Sequence, residues 1–128
     1  SRTIADLLNR LRQPFNANAL AQAAAVAALG DEDYMRESRR LNEAGLETFT
    51  EAFDVRQLPW IPSAGNFVTV RVGNGNAVYE ALLREGVIVR PIGGYGLPEH
   101  LRVTVGLPAE NARFIEALDR VLAAGAAT

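Results

Sequence analysis

The sequence has no cysteine, no lysine and only one histidine among its 128 residues. Without cysteine there is no disulfide framework and no thiolate metal site. A lone His100 without thiolates gives no zinc-ligand set. All 13 basic residues are arginine, a usage that GC-rich coding produces. Whatever its origin, it means that this chain cannot form a lysine Schiff base. No apolar run approaches the roughly 20 residues that cross a bilayer. No basic-then-apolar leader opens the chain. The expectation is therefore a soluble, cytoplasmic chain without a membrane partner. The net charge of −2 lacks the basic footprint of a nucleic-acid binder, so no nucleic-acid partner is expected.

What is present is ordinary for one globular domain: 128 residues, of which 48% are apolar. Residues 3–13 place Ile4, Leu7, Leu8 and Leu11 at helical spacing, and Pro14 stops the helix. This helix begins almost at residue 1 without a leader or cap of its own, as a cut inside a larger protein would leave it. Asn16 or Asn18 caps a second helix over 17–29 that is apolar on nearly every side. Such a helix is normally buried all round, so either part of it meets something outside this chain or its alanines alone explain the composition. Gly30 is placed at C′. Asp31 or Asp33 caps a third helix that runs to about Phe53, with Tyr34, Leu41, Phe49 and Phe53 near one face and a solvated charge run on the others. Gly45 inside it costs about 1 kcal/mol relative to alanine.

The pattern then turns to β. Residues 58–62 are extended, 63–66 turn, and 67–72 form a strand. A helix over 77–85 ends at Gly86. Strands are predicted at 87–90 and 101–105, with 92–100 as a loop, and Pro108 opens a final helix before a fraying tail at 123–128. The order is three helices followed by β-β-α-β-β-α. The fold class is α+β: a few-stranded, mainly antiparallel sheet with helices packed on one face, preceded by N-terminal helices.

The stretch GVIVRPIGGYGLPEHLRVTVG, residues 86–106, concentrates the chemistry. Each predicted strand carries one arginine, Arg90 and Arg102. Paired antiparallel, the strands bring both guanidinium groups to the same edge of the sheet. There they are either surface charges of a hairpin or a pair of anion-binding groups, since the guanidinium fork matches carboxylate and phosphate oxygens two at a time. Alternation puts Leu101, Val103 and Val105 on one face and Arg102 and Thr104 on the other, which is not the helix-packed face.

Three segments, SAGNF at 63–67, LLREGVIVRPIGGYGLPEHLRVTVG at 82–106 and LPAENARFIEALDRVL at 107–122, occur in an order and spacing that resemble the C-terminal small domain of pyridoxal-phosphate-dependent aminotransferases of fold type I. Within that family the likeness is greatest to the histidinol-phosphate aminotransferases. It extends upstream through RQPFNANALAQAAAVAAL at 12–29, the crossing from large to small domain, and covers residues 4 to 122. The resemblance implies that residues 1–14 are the end of the large domain with its linker, and that 15–128 are the small domain. It implies that Arg102 binds the substrate α-carboxylate and that Arg90 helps to hold a substrate phosphate. Asn66 is then a signature residue beside the cleft, or simply a turn former that satisfies local backbone. Tyr95 lines the substrate mouth or packs as a lid over the loop. His100 is read as an ordinary loop residue and Trp60 as a core residue rather than a stacking platform.

The implied parent transfers an amino group between histidinol phosphate and 2-oxoglutarate, with pyridoxal 5'-phosphate as cofactor, in histidine biosynthesis. A separate large cofactor-binding domain supplies the lysine, and a homodimer is the expected assembly. Without that lysine no residue of this chain is catalytic, and the chain alone is expected to be inactive. A cut surface would favour self-association or exchange of elements between chains. Related substrates, an aromatic amino acid or threonine phosphate, and a free-standing, non-catalytic binding module are the alternatives.

Overall fold

The computed structural model describes residues 1–13 and 15–125; Pro14 and residues 126–128, half of the predicted fraying tail, lie outside the described residues. The chain divides into two compact units, Ser1–Arg36 and Glu37–Thr128.

The first unit carries α1 (Arg2–Leu11), α2 (Ala19–Leu29) and the start of α3 (Glu32–Val55). Contrary to expectation, α1 has a cap: Ser1 Oγ accepts from the Ile4 amide at 3.4 Å. Of the two asparagines proposed for α2, Asn18 is the cap, its Oδ1 accepting from the Ala21 amide at 2.9 Å. Asp31 caps α3 through the Tyr34 amide at 2.9 Å. Gly30 closes α2 in a right-handed conformation (φ −88°), not in the left-handed one that a C′ glycine serves. Neither α1 nor α2 has a buried residue, and Leu20, Val26 and Leu29 of the apolar α2 are all exposed.

The second unit is a four-stranded, wholly antiparallel sheet in the order β1-β2-β4-β3, with β1 at Trp60–Ile61, β2 at Phe67–Arg71, β3 at Arg90–Ile92 and β4 at Leu97–Thr104. The core lies on one sheet face. Val68, Val70, Leu101 and Val103 pack there with Phe49 and Phe53 of α3, Val78 and Leu82 of α4 (Gly75–Arg84), and Phe114, Leu118 and Val121 of α5 (Pro108–Ala123). Helices on one face and a second face left to solvent or a ligand is the predicted architecture. Trp60 packs against the core and its indole N–H donates to Asp54 Oδ1 at 2.8 Å, in keeping with a core reading.

Gly45 has a positive reason to be glycine. A Cβ there would collide with Val105 Cγ1 and lie 2.9 Å from Asn111 Nδ2. The propensity penalty is accepted because α3 must approach the end of β4 closely.

Two boundaries differ from expectation. The strand predicted at 87–90 begins only at Arg90. The amides of Gly86 and Val87 bond back to Leu83 (3.0 Å) and Leu82 (2.9 Å), so the end of α4 claims this segment before it can join the sheet. The predicted loop 92–100 is mostly strand. One 3₁₀ turn, Gly93–Tyr95, followed by Gly96 at φ +81°, closes the hairpin, and β4 then runs eight residues. His100 therefore sits in a strand, opposite Arg71.

Arg56 at the end of α3 grips Asp119 of α5 with two bonds of 2.5 and 2.6 Å. That hydrogen-bonded guanidinium holds the Asp119 carboxyl below its ordinary range. A depressed carboxyl contributes stability above its unfolded value near 3.9, and the contribution disappears as pH falls through the folded value. Thermal melts of Asp119→Asn should therefore show a small deficit at pH 7 and a smaller one below about pH 3.9. An equal deficit at both pH values would assign the effect to packing.

Candidate functional site

The register places Ile61, Thr69, Arg102 and Arg90 opposite one another on β1, β2, β4 and β3. Cross-strand partners point to the same face. These four therefore form one row across the sheet, on the face away from the helices. The two predicted arginines are brought together more closely than expected: they are direct register partners. They do not share the sheet edge, however. Arg90 is on the edge strand β3, whereas Arg102 is on the interior strand β4.

Like charges directly opposite each other are destabilising. Three other arginines of the second unit are neutralised locally: Arg71 by Glu99 (3.2 and 3.0 Å), Arg56 by Asp119 and Arg120 by Glu85 (2.9 Å). The hydrogen-bonded Arg71 pulls the Glu99 carboxyl down from its usual range. Neither Arg90 nor Arg102 has a carboxylate within ion-pair distance among the described residues. Arg90 is exposed and Arg102 half-buried. Two unneutralised forks in one row can accept two anions, or two ends of one.

Sequence reasoning missed two neighbours. The Arg102 guanidinium carbon lies 5.0 Å from the ring centroid of Phe67, which is diagonal to it in the register. Thr69, directly beside Arg102, is only 9% exposed. The signal was available: Phe67 and Thr69 alternate with the core residues Val68 and Val70 and so share the face of Arg102. Alternation alone gives 67–72 no pairing partner, so it does not bring these residues to Arg102.

Asn66 ends the turn before β2. Its carbonyl accepts from the Val105 amide at 2.9 Å, and its exposed side chain makes no hydrogen bond among the described residues. Ser63 serves the turn instead, accepting from the Gly65 amide at 3.1 Å, while the Asn42 amide donates to the Gly65 carbonyl at 3.1 Å. Tyr95 is 70% exposed on the hairpin turn, so it is not a packed lid. A cleft of about 730 Å³ beside residues 86–89 is lined by Ile88, Thr104, Gly106 and Arg113 among others. Its lining includes neither Arg90 nor Arg102.

The second unit packs three helices on one sheet face and carries Arg90 and Arg102, without carboxylate partners among the described residues, on the other. The profile of the family described as aminotransferase class I and II matches residues 1–118, and the chain belongs to that family. It is 60% identical over 123 residues to histidinol-phosphate aminotransferase 2 of Pseudomonas fluorescens strain Pf0-1, covering 95% of this chain and 33% of the relative. To the protein of the same description from Pseudomonas aeruginosa it is 57% identical over 124 residues, covering 96% and 34%. Its fold matches the crystal structure of histidinol-phosphate aminotransferase from Sinorhizobium meliloti in complex with pyridoxal-5'-phosphate, with a TM-score of 0.78 and 26% identity over 94% of this chain and 34% of that one. The chain thus spans about a third of the length of these relatives. No helix among the described residues is long and apolar enough to cross a membrane.

Proposed function

We propose that this chain is the substrate-gripping small domain of a pyridoxal-phosphate-dependent aminotransferase that exchanges the amino group of histidinol phosphate with 2-oxoglutarate, giving imidazole-acetol phosphate and glutamate. The observation that carries the reading is the register pair Arg90–Arg102, two forks without carboxylate partners on the sheet face that the helices leave open. Arg102, half-buried on an interior strand, takes the carboxylate of the amino-acid or 2-oxo-acid partner. Arg90, exposed on the edge strand beside the Gly93–Tyr95 turn, takes the phosphate, with Asn66 and Tyr95 at the margin. The relatives' descriptions support the substrate.

The residues present do not fit the cofactor as its anchor. There is no lysine in the sequence to bind the aldehyde of pyridoxal phosphate. The lysine and the cofactor-binding groups belong to a large domain outside these residues, and this chain alone carries no turnover. Residues 1–14 are then the end of that large domain with its linker, and 15–128 the small domain. The exposed apolar surface of α2 is where we place a missing partner. The enzyme is taken to be a cytoplasmic homodimer.

The test is Arg90→Ala in the enzyme that carries this chain. A charge-assisted contact is worth about 1.5–3 kcal/mol, so kcat/KM for the phosphorylated donor should fall about 10- to 100-fold. The value for glutamate, which has no phosphate, should stay within about threefold on the same scale. Equal losses on both would remove the phosphate role.

A further inference from the structure

We infer that Phe67 is a positioning residue for Arg102: its ring covers one side of the guanidinium and fixes the fork without occupying its N–H groups. This rests on the reading of Arg102 as the carboxylate-binding arginine.

The comparison with nearby arginines carries the argument. Arg71 lies on the same sheet face and is held by Glu99 through two bonds of 3.2 and 3.0 Å. Arg56 is held by Asp119 in the same two-pronged way at 2.5 and 2.6 Å. In both, the Nε and Nη2 edge that would make a two-bond carboxylate contact is already occupied. Arg102 is held differently. No carboxylate reaches it among the described residues, and its guanidinium carbon lies over the face of Phe67, 5.0 Å from the centroid. An aromatic face attracts a cation through its quadrupole but accepts none of the in-plane N–H bonds. The fork is therefore restrained and still open. Arg90, its register partner, repels it, so without the ring the long side chain would swing away from Arg90 and lose the orientation for a two-bond carboxylate contact.

Phe67 is itself well placed to be rigid. It is half-buried, pairs with Thr104 across β2 and β4, and follows the turn that Ser63 and Asn42 tie down. A mobile aromatic could not restrain anything, whereas this one is the first residue of a paired strand.

The test compares Phe67→Leu and Phe67→Tyr in the enzyme that carries this chain. Leucine keeps an apolar side chain and removes the π face; tyrosine keeps both ring and face. For Phe67→Leu, KM for glutamate should rise about five- to tenfold while kcat stays within about twofold, and Phe67→Tyr should restore KM. A second reading needs no turnover. In the 128-residue chain, the 15N order parameter of the Arg102 Nε–Hε group should exceed that of Arg84, and should fall to the Arg84 value in Phe67→Leu. An unchanged KM and order parameter in Phe67→Leu would overturn the proposal. So would a loss of kcat and thermal midpoint together that tyrosine does not restore, since that assigns the ring to packing alone. If the unsubstituted enzyme transfers no amino group, the underlying reading of Arg102 fails, while the order parameters still decide whether Phe67 restrains the side chain.

Discussion

Replacing Arg102 with alanine in the aminotransferase that carries this chain should lower kcat/KM for every carboxylate-bearing substrate by about 10²- to 10⁴-fold. The size follows from what is lost. A guanidinium meets a carboxylate through two parallel charge-assisted bonds, each worth about 1.5–3 kcal/mol, and every 1.4 kcal/mol is tenfold. The half-burial of Arg102 keeps that value from being screened away as it would be on a fully exposed side chain. Loss on both glutamate and 2-oxoglutarate distinguishes it from Arg90→Ala, whose effect should follow the phosphate. Arg102→Lys should recover little, because an ammonium is a point charge without the planar fork. Steady-state kinetics on both half-reactions read the outcome. A kcat/KM within threefold of the unsubstituted enzyme for glutamate would remove Arg102 from the site.

The second large effect concerns the platform beneath the site. Phe114→Ala should cost about 3–5 kcal/mol of folding stability, read as a fall in the urea midpoint of this chain. Phe114 of α5 is 4% exposed and meets two rings of α3 edge-on, Phe49 at 5.4 Å and Phe53 at 6.4 Å between centroids. Those two rings stack on each other at 6.0 Å. Removing the ring opens a cavity between α3, α5 and the core face of the sheet, with the loss of edge-to-face contacts added to the lost burial. Set against the 5–15 kcal/mol of a typical domain, the loss approaches the whole margin. A change below about 1 kcal/mol would show that α3 and α5 can close over the gap. Because Val68, Val70, Leu101 and Val103 lie on the other side of that core, the same substitution should loosen the row that holds Arg102.

Much of this was legible in the order of the residues. Helical spacing of Phe49 with Phe53 identified the third helix and its inward face because burial repeats at the helical period. Strand alternation put Arg102 on the face opposite Leu101 and Val103, because side chains in a strand alternate whatever they pair with. Gly86 and Pro108 marked helix ends through local backbone chemistry, and the cap of the second helix was narrowed to Asn16 or Asn18. The absence of lysine settled by itself that no Schiff base forms within these residues.

What needed the tertiary structure was every relation between distant segments. Strand 67–71 could have met 101–104 in more than one register. Only the observed one makes Thr69 the partner of Arg102 and brings Phe67 to its guanidinium. The polar run Pro98-Glu99-His100 shows no apolar alternation and reads as loop. It becomes strand because Gly96 closes a tight turn and β2 supplies partners for its backbone, with the Val72 amide bonding Glu99 at 2.8 Å. The run 87–89 has the composition of a strand yet stays outside the sheet, and the end of α4 takes the Val87 amide at its start. Local propensity and periodicity are properties of neighbouring residues and are written in the sequence directly. Register, and with it the meeting of Arg90 and Arg102 on one row, is set by how turns and core packing align strands that are far apart in the chain.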